Sequence, residues 1–390
     1  MTASIIITLC LLLLISYVFD LTSSKTKIPS VILLLLLGFM ANQFSETFKI
    51  GIPNLEPLLP VIGTIGLILI VLEGSLELEL NASKTGVIKK SSIMAFIPLV
   101  IFSLLMSFII HFTFKYPFKI CLANTIPFAV ISSAIAIPSA KNLARENKDF
   151  VTYESSLSDI IGVIFFYFIT LNSNIDTKSI FYYIIDLILI LIISFSATLV
   201  LSYFITKIKH HVKFIPIIIL VVLIYAVSKL YHLPGLIFIL IFGLFIGNVD
   251  QLRHIKFIDK FHPEDFGKEV NKFNELIIEI AFLIRSLFFI LFGFLIQPHE
   301  ILNLDTLLWS LIITITIFFL RYFFLRIFRL PIQPLLTIAP RGLITILLFL
   351  NIPVSQSISV INKSLVIQVI LMTSIIMMIG FIRNKTKIEK

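Results

Sequence analysis

The stretch YESSLSDIIGVIFFYF, residues 153–168, carries two carboxylates in a segment that is otherwise apolar enough for a membrane interior. The carboxylates belong to Glu154 and Asp159, and they are accompanied by three serines, Ser155, Ser156 and Ser158. An ionised carboxylate near the middle of a bilayer costs roughly 2.5–3.5 kcal/mol on insertion scales. Some other group, in the protein or bound to it, must therefore offset this cost.

The composition of the chain is that of a membrane protein. Hydrophobic residues make up 58% of the 390 residues and charged residues 14%, and the mean hydropathy is +1.07. A soluble domain of this length needs more charge to cover its surface. The first apolar run, residues 2–19, lacks a basic n-region and a cleavage site, so we expect a spanning helix rather than a signal peptide. Cys10 and Cys121 lie in apolar runs, which disfavours a disulfide.

The apolar runs set the number of spans, because about 20 apolar residues cross a bilayer as a helix. They predict an all-α polytopic membrane protein with about thirteen transmembrane helices. The approximate spans are 2–20, 29–44, 55–75, 91–114, 118–140, 153–172, 179–206, 214–230, 234–250, 272–297, 304–325, 332–352 and 364–382.

Basic residues accumulate in alternate connections. The odd-numbered connections and the tail hold Lys25, Lys27, Lys84, Lys89, Lys90, Lys141, Arg145, Lys148, Lys207, Lys209, Lys213, Arg253, Lys256, Lys260, Lys268, Arg326, Arg329, Arg383, Lys385, Lys387 and Lys390. The even-numbered connections hold Lys49, Lys115, Lys119, Lys178, Lys229 and Lys363. This split of about 21 to 6 predicts that the protein lies in the cell membrane, with its N-terminus on the outer side and its C-terminus on the cytoplasmic side. The placement of the +9 net charge thus favours membrane topology and lipid contact over nucleic-acid binding.

The domain organisation follows from the connections. The longest connection, residues 250–271, is too short for a soluble domain, so we expect one transmembrane domain over residues 1–390 and no soluble regulatory domain. The sequence shows none of three common catalytic or cofactor motifs at a convincing position: a Gly-rich phosphate cradle, a zinc-ligand spacing or a nucleophile triad. We therefore expect neither an enzyme nor a cofactor.

Ionisable residues inside the spans are the candidate functional residues. They are Asp159, Arg285, Arg321 and Arg341, with Glu154 at the mouth of the sixth span. Charges at membrane depth usually face the bundle interior, pair with a partner and mark an ion path. The alternative is a fixed pair of an arginine and a carboxylate that only holds helices together.

The serines around Asp159 predict the chemistry of a cation site. Ser155 and Asp159 are four residues apart and share a helix face, and Ser158 adjoins Asp159. Hydroxyl and carboxylate oxygens are hard ligands that suit a small alkali cation. A carboxylate removed from water also takes up a proton more readily. A site that binds either a cation or a proton, but not both, is the minimum that exchange requires.

Two segments have the composition of interrupted helices. Residues 127–143, PFAVISSAIAIPSAKNL, hold Ser132, Ser133 and Pro138, and residues 339–353, APRGLITILLFLNIP, open with Pro-Arg-Gly. Unwound backbone in a membrane is tolerated where it lines a cavity. Paired breaks in corresponding halves of a transporter point to its binding site. Ordinary proline kinks are the alternative.

Several of these segments together resemble the monovalent cation/proton antiporter superfamily, the sodium/proton exchangers. ESSLSD (154–159) resembles that family's E-x-x-x-N-D signature, and LILIVLEGSLELEL (67–80) resembles its FLAGLELDL-type segment. LFFILFGFLI (287–296) resembles its FF-x-x-x-G stretch, and APRGLITILLFL (339–350) resembles the G-x-R-G segment of its twelfth helix. The resemblance covers nearly the whole chain.

The resemblance implies a fold of inverted repeats, the first at about residues 1–172 and the second at about 214–382. Spans four to six and eleven to thirteen would form a core that moves against a dimerisation domain of a homodimer. Broken fifth and twelfth spans would cross near the membrane midplane.

The resemblance also implies residue roles. Asp159 would bind the cation and the proton, Ser155 would help to coordinate the cation, and Glu154 would pair with Arg321. Arg341 matches the arginine of the twelfth-helix motif.

The chain departs from the family in three places. Ser158 stands where the family has Asn or Asp, which leaves the stoichiometry open. The Thr-Asp-Pro common at the fifth-helix break is missing, so Ser132 and Ser133 are the nearby hydroxyls that could serve as ligands. Arg285 has no clear counterpart and competes with Arg321 for Glu154.

Two other functions stay open at this point. A carrier of similar architecture could move an organic anion with sodium, using Arg341 as its cationic pocket. A membrane sensor or assembly protein would use the same charges for structure alone. The sequence does not distinguish sodium, lithium and potassium as the cation of an exchanger.

Overall fold

The computed structural model describes residues 2–26, 28–48, 54–78, 84–172, 177–207, 212–231, 233, 235–248 and 263–388. Within these ranges all regular structure is helical. The helices are α1 (Thr2–Thr26), α2 (Ser30–Thr47), α3 (Leu58–Glu77), α4 (Thr85–Phe114), α5 (Phe118–Ala129), α6 (Ser133–Ala140), α7 (Arg145–Leu171), α8 (Thr177–Lys207), α9 (Phe214–Leu230), α10 (Leu236–Gly247), α11 (Pro263–Phe294), α12 (Pro298–Ile301), α13 (Leu304–Ile327), α14 (Leu343–Leu350) and α15 (Lys363–Ile388). Two 3-10 turns, Leu335–Thr337 and Val354–Gln356, flank α14.

The predicted all-α polytopic fold is confirmed. In the described part of the chain nine helical segments are long and apolar enough to cross a membrane, and α5 and α6 together count as one of them. Three shorter apolar helices lie at Ile7–Ser23, Phe214–Leu230 and Leu236–Gly247. With the segment that contains α14, these make up the thirteen predicted spans.

Some boundaries differ from the prediction. Residues 250–271 were expected to form a polar connection, but α11 already begins at Pro263. Residues 249–262 lie outside the described ranges. Pro138 lies inside α6, and the break of the fifth span falls instead at residues 130–132. Pro138 is the sixth residue of α6 and has no N–H to donate to Ala134 O. That carbonyl oxygen lies instead 3.5 Å from Nη1 of Arg285.

The helices pack in two groups. In one group α4 packs against α5 and α7, α6 packs against α7, and α13 packs against α15 and α4. In the other group α11 packs against α2 and α3, and α10 packs against α3 and α8. Helix α3 also contacts α6, α7 and α14, and so it joins the two groups next to the broken spans. The repeat boundaries expected at 1–172 and 214–382 stay a prediction.

Two glycines allow the close approach of α2 and α11. A Cβ at Gly38 would lie 2.1 Å from the carbonyl oxygen of Ile290, and one at Gly293 would lie 2.3 Å from that of Leu35. Small residues at such crossings let helix backbones touch, which is a common basis of packing in membranes. The outward faces are apolar, and Ile192 of α8, Ile315 and Phe319 are all more than half exposed. Lipid suits such faces better than water does.

Candidate functional site

The two unwound segments meet through their backbones. Val130 and Ser132 are extended between α5 and α6, and the backbone N–H of Ser132 donates to the carbonyl oxygen of Pro340 at 2.9 Å. A Cβ at Gly342 would lie 2.6 Å from Ile135 Cδ1 and 2.9 Å from Ser132 Oγ. Glycine at this position therefore gives the second unwound segment room to approach the first.

Arg341 binds the carbonyl end of α5. Its Nε donates to Phe128 O at 2.6 Å and its Nη2 to Ala129 O at 3.2 Å. Its Nη1 donates to Ala339 O at 2.9 Å, and its backbone N–H donates to Thr373 Oγ1 at 3.1 Å. The last carbonyls of a helix have no intrahelical partner and carry partial negative charge. A buried guanidinium at this position compensates both.

Asp159 lies at the amino end of α6. Its Oδ2 accepts a hydrogen bond from the Ser133 hydroxyl and another from the Ser133 backbone N–H at 3.3 Å. The carboxylate is 2% exposed, and its Oδ1 has no hydrogen-bond partner among the residues that the structure describes. The amino end of a helix favours negative charge. The half-helix that starts at Ser133 thus offsets part of the cost of burying a negative charge at Asp159.

Glu154, five residues earlier on α7, has a fixed cationic partner. Arg321 of α13 donates from Nη1 to Oε1 at 2.7 Å and from Nη2 to Oε2 at 2.8 Å. The Nε of Arg321 donates to Leu335 O at 2.7 Å. Glu154 is 1% and Arg321 4% exposed. Such a bidentate pair is the strongest form of ion pair and fixes the orientation of both groups.

The two buried carboxylates of α7 therefore differ in how their charge is compensated. The charge of Glu154 is neutralised within the protein by Arg321. Over the described ranges, Asp159 forms no ion pair with any lysine, arginine or histidine, and its recorded partner is the neutral Ser133. A buried carboxylate of this kind is costly unless a bound proton or a cation neutralises it.

The other serines predicted as ligands have different contacts. Ser155 donates its hydroxyl to Val151 O at 2.8 Å. Ser158 Oγ accepts the backbone N–H of Ile131 at 3.0 Å, which ties α7 to the unwound segment. The hydroxyl of Ser132 lies beside Gly342. Of the serines predicted as ligands, only Ser133 has a hydrogen bond to Asp159 in the described part of the chain.

Arg285 lies away from Glu154. Its Nη1 is 3.5 Å from Ala134 O of α6 and 4.0 Å from Oε2 of Glu73 on α3. Of the two arginines that the sequence left open as partners of Glu154, the structure pairs Arg321 with it. Our sequence reasoning missed Glu73, although an acid within the apolar run 58–77 was a visible signal.

A small cavity lies beside the crossing. It has a volume of about 30 Å³, and Ser158, Arg321 and Arg341 contribute to its lining together with apolar side chains of α4 and α13. A space of this size holds one or two water molecules. No cluster of three or more His, Cys, Asp or Glu side chains suited to a metal ion occurs in the ranges that the structure covers.

Comparisons with known proteins agree with this architecture. The family model for the transmembrane sodium/hydrogen exchanger matches residues 9–383. A structure of the sodium proton antiporter MjNhaP1 from Methanocaldococcus jannaschii at pH 8 superposes with a TM-score of 0.72 at 20% identity, over 96% of this chain and 98% of that one. An electron-microscopy structure of MjNhaP1 superposes with a TM-score of 0.70 at 19% identity, over 97% and 95%.

A comparison with curated protein sequences gave no match. At 19% and 20% identity the two structures show the fold alone. The family model, in contrast, covers nearly all of the sequence. The chain therefore belongs to the sodium/hydrogen exchanger family.

Proposed function

We propose that this protein is a secondary antiporter in which Asp159 binds a monovalent cation and a proton alternately. Membership of the sodium/hydrogen exchanger family supports cation/proton antiport. The observation that carries the role of Asp159 is the contrast within α7. Glu154 has a bidentate arginine partner, whereas Asp159 is buried, has one unpartnered oxygen and lacks a cationic partner in the described residues.

The proposed coupling follows from the cost of a buried charge. An ionised Asp159 is hard to carry through a hydrophobic barrier, whereas a neutralised one passes at lower cost. A proton and an alkali cation neutralise it equally well, and each excludes the other from the same oxygens. The protein therefore changes its access with one or the other bound, which makes the exchange obligatory.

The proposed cation ligands are oxygens around Asp159. Its Oδ1 has no hydrogen-bond partner within the described part. The hydroxyl of Ser155 donates a hydrogen bond to Val151 O, so the lone pairs of its oxygen remain available to a cation. Ser132 and Ser133 border the same break of the fifth span. We assign Ser158 a positioning role, because its oxygen holds the N–H of Ile131.

The arginines have structural roles in this proposal. Arg321 neutralises Glu154 and holds α13 to α7, and Arg341 satisfies the carbonyl end of α5. Arg285 of α11 reaches Glu73 of α3 and the backbone of α6, and in this position it modulates the contact of the two helix groups.

The two other functions fit these contacts less well. An organic anion would need the guanidinium of Arg341, which already donates to three carbonyl oxygens. The cavity beside Arg341, of about 30 Å³, is far below the roughly 300–1,000 Å³ of typical ligand pockets. A purely structural protein would have no reason to bury Asp159 without a cationic partner, and the described residues provide none.

Several expectations remain part of the proposal. They are the location in the cell membrane, the N-terminus outside and the C-terminus inside, and assembly as a homodimer. The distribution of basic residues supports the orientation. The identity of the cation, sodium, lithium or potassium, has to be measured.

The test is proton flux in reconstituted vesicles with an imposed pH gradient, after addition of sodium, lithium, potassium or choline chloride. Wild type is expected to dissipate the gradient with at least one alkali cation, and Asp159→Asn is expected to abolish this flux. The control is Asp149→Asn, also on α7, where the carboxylate pairs with Lys84 at 2.9 Å near the predicted cytoplasmic end. Equal flux in wild type and Asp159→Asn would overturn the proposal.

A further inference from the structure

Ser156 is a buried helical serine whose hydroxyl has no hydrogen-bond partner among the described residues. It is 3% exposed. Buried serines in a helix usually donate to the carbonyl one turn earlier. Ser155, Ser103 and Ser91 do so, at 2.8, 2.8 and 2.7 Å. The hydroxyl of Ser156 is not used in this way, so both its proton and its lone pairs are available.

The surroundings of Ser156 leave room for its hydroxyl. A Cβ at Gly74 of α3 would lie 2.9 Å from Ser156 Oγ and 3.5 Å from Ile137 Cδ1 of α6. Glycine at position 74 therefore keeps the space in front of the hydroxyl open. Ser156 thus lies where α3, α6 and α7 meet, between the two groups of helices.

The position of Ser156 relative to Asp159 gives this space a use. Residues three apart on a helix lie on one face, and so do residues four apart. Ser156 and Ser155 therefore flank Asp159 on either side, one turn closer to the start of α7. Asp159 Oδ1 and Ser156 Oγ are both buried, and both lack a partner in the part that the structure describes.

We infer that Ser156 is a further ligand of the transported cation and biases the competition between cation and proton. The inference rests on the proposed function of Asp159. A small alkali cation takes several oxygen ligands at once, so it gains from a second, neutral oxygen. A proton binds to one carboxylate oxygen and gains little from the hydroxyl. Ser156 therefore strengthens cation binding and leaves proton binding nearly unchanged.

The test compares Ser156→Ala with wild type in reconstituted vesicles, with sodium chloride as the probe and choline chloride as the blank. Loss of a hydroxyl that contacts a charged ligand is expected to raise the KM for sodium about tenfold. The maximal rate is expected to stay close to that of wild type, because the lost contact stabilises the bound ground state and the transition state equally. At a fixed low sodium concentration the activity shifts to higher pH, because the proton then competes more successfully.

A second readout is independent of transport. Sodium that binds the folded protein raises its thermal unfolding midpoint in detergent. Ser156→Ala is expected to reduce this sodium-dependent rise, while its midpoint without sodium equals or exceeds that of wild type, since a buried unpartnered hydroxyl has been removed. The matched control is Ser286→Ala on α11, which removes another buried hydroxyl without a partner in the described residues and is expected to leave the KM unchanged.

A second variant covers the case in which Ser156→Ala fails to fold. Gly74→Ala places a methyl group against Ser156 Oγ, and the same rise in KM is expected. A wild-type KM and pH profile in Ser156→Ala, or lower stability without a change in KM, would overturn the inference. If Asp159→Asn were inactive in the same assay, the proposed function would still stand. A wild type in which sodium, lithium and potassium all fail to drive proton flux would overturn both.

Discussion

Glu154 and Arg321 share two hydrogen bonds, of 2.7 and 2.8 Å, although 167 positions separate them in sequence. The pair joins α7 to α13 and is buried at both ends. Because Arg321 neutralises Glu154, Asp159 is left as the buried carboxylate of α7 whose charge no basic side chain in the described ranges compensates. In the proposed mechanism, this division separates the acid that holds the structure from the acid that binds the cation and the proton.

Removal of one member of the pair is expected to destabilise the protein strongly. Glu154→Gln leaves Arg321 buried and unpaired, and the loss of a buried partner typically costs about 3–5 kcal/mol. The double variant Glu154→Gln with Arg321→Gln is expected to lose less than the sum of the two single variants, because no isolated charge remains. Thermal unfolding in detergent measures all three proteins. Single variants as stable as wild type would contradict the structural role of the pair.

Gly342→Ala is expected to disturb the crossing of the unwound segments. The added methyl group would lie 2.6 Å from Ile135 Cδ1 and 2.9 Å from Ser132 Oγ, and overpacking of this kind costs about 1–3 kcal/mol. Both a lower unfolding midpoint and slower cation-dependent proton flux should result.

The matched control for this prediction is Gly86→Ala in the first turn of α4, where a Cβ would meet nothing within 4 Å. Alanine is the better helix former, so this variant should be as stable as wild type or slightly more so. Equal behaviour of the two alanine variants would show that the close approach at Gly342 is not needed.

Arg341→Lys is expected to impair the protein although the charge is kept. The guanidinium donates to Phe128 O, Ala129 O and Ala339 O in three directions, and a single ammonium group does not reproduce this fork. Unsatisfied buried carbonyls cost about 1–3 kcal/mol. Stability and flux are to be compared with Arg326→Lys, whose side chain is exposed and donates to Tyr322. If Arg341→Lys behaved like this control, charge alone would explain the role of Arg341.

The span count and the two breaks could be predicted because both depend on local sequence. The length of an apolar run fixes whether it crosses a bilayer, and Pro-Arg-Gly at 340–342 cannot continue a helix easily. The position of the fifth-span break at residues 130–132 could not be predicted, because it depends on the hydrogen bond between Ser132 and Pro340 of the other unwound segment.

The contacts of the charged residues and serines depend on the fold. The sequence left both Arg285 and Arg321 as possible partners of Glu154. Which of them forms the pair depends on where α11 and α13 lie relative to α7. The sequence does not distinguish the serines near Asp159, but their contacts differ. Ser155 donates to a carbonyl oxygen of its own helix, Ser156 faces α3, and Ser158 accepts the N–H of Ile131. These differences come from the neighbours that surround α7, which no local pattern encodes.

The most direct measurement is the KM for the transported cation as a function of pH in reconstituted vesicles. If one proton and one cation compete for Asp159, the KM should rise about tenfold for each unit by which the pH falls on the acidic side of the profile. The reason is that linkage between the two ligands is reciprocal. The maximal rate at saturating cation should stay nearly constant over the same range. A KM that does not change with pH would show that the two ions bind at separate sites and would contradict alternate binding at Asp159.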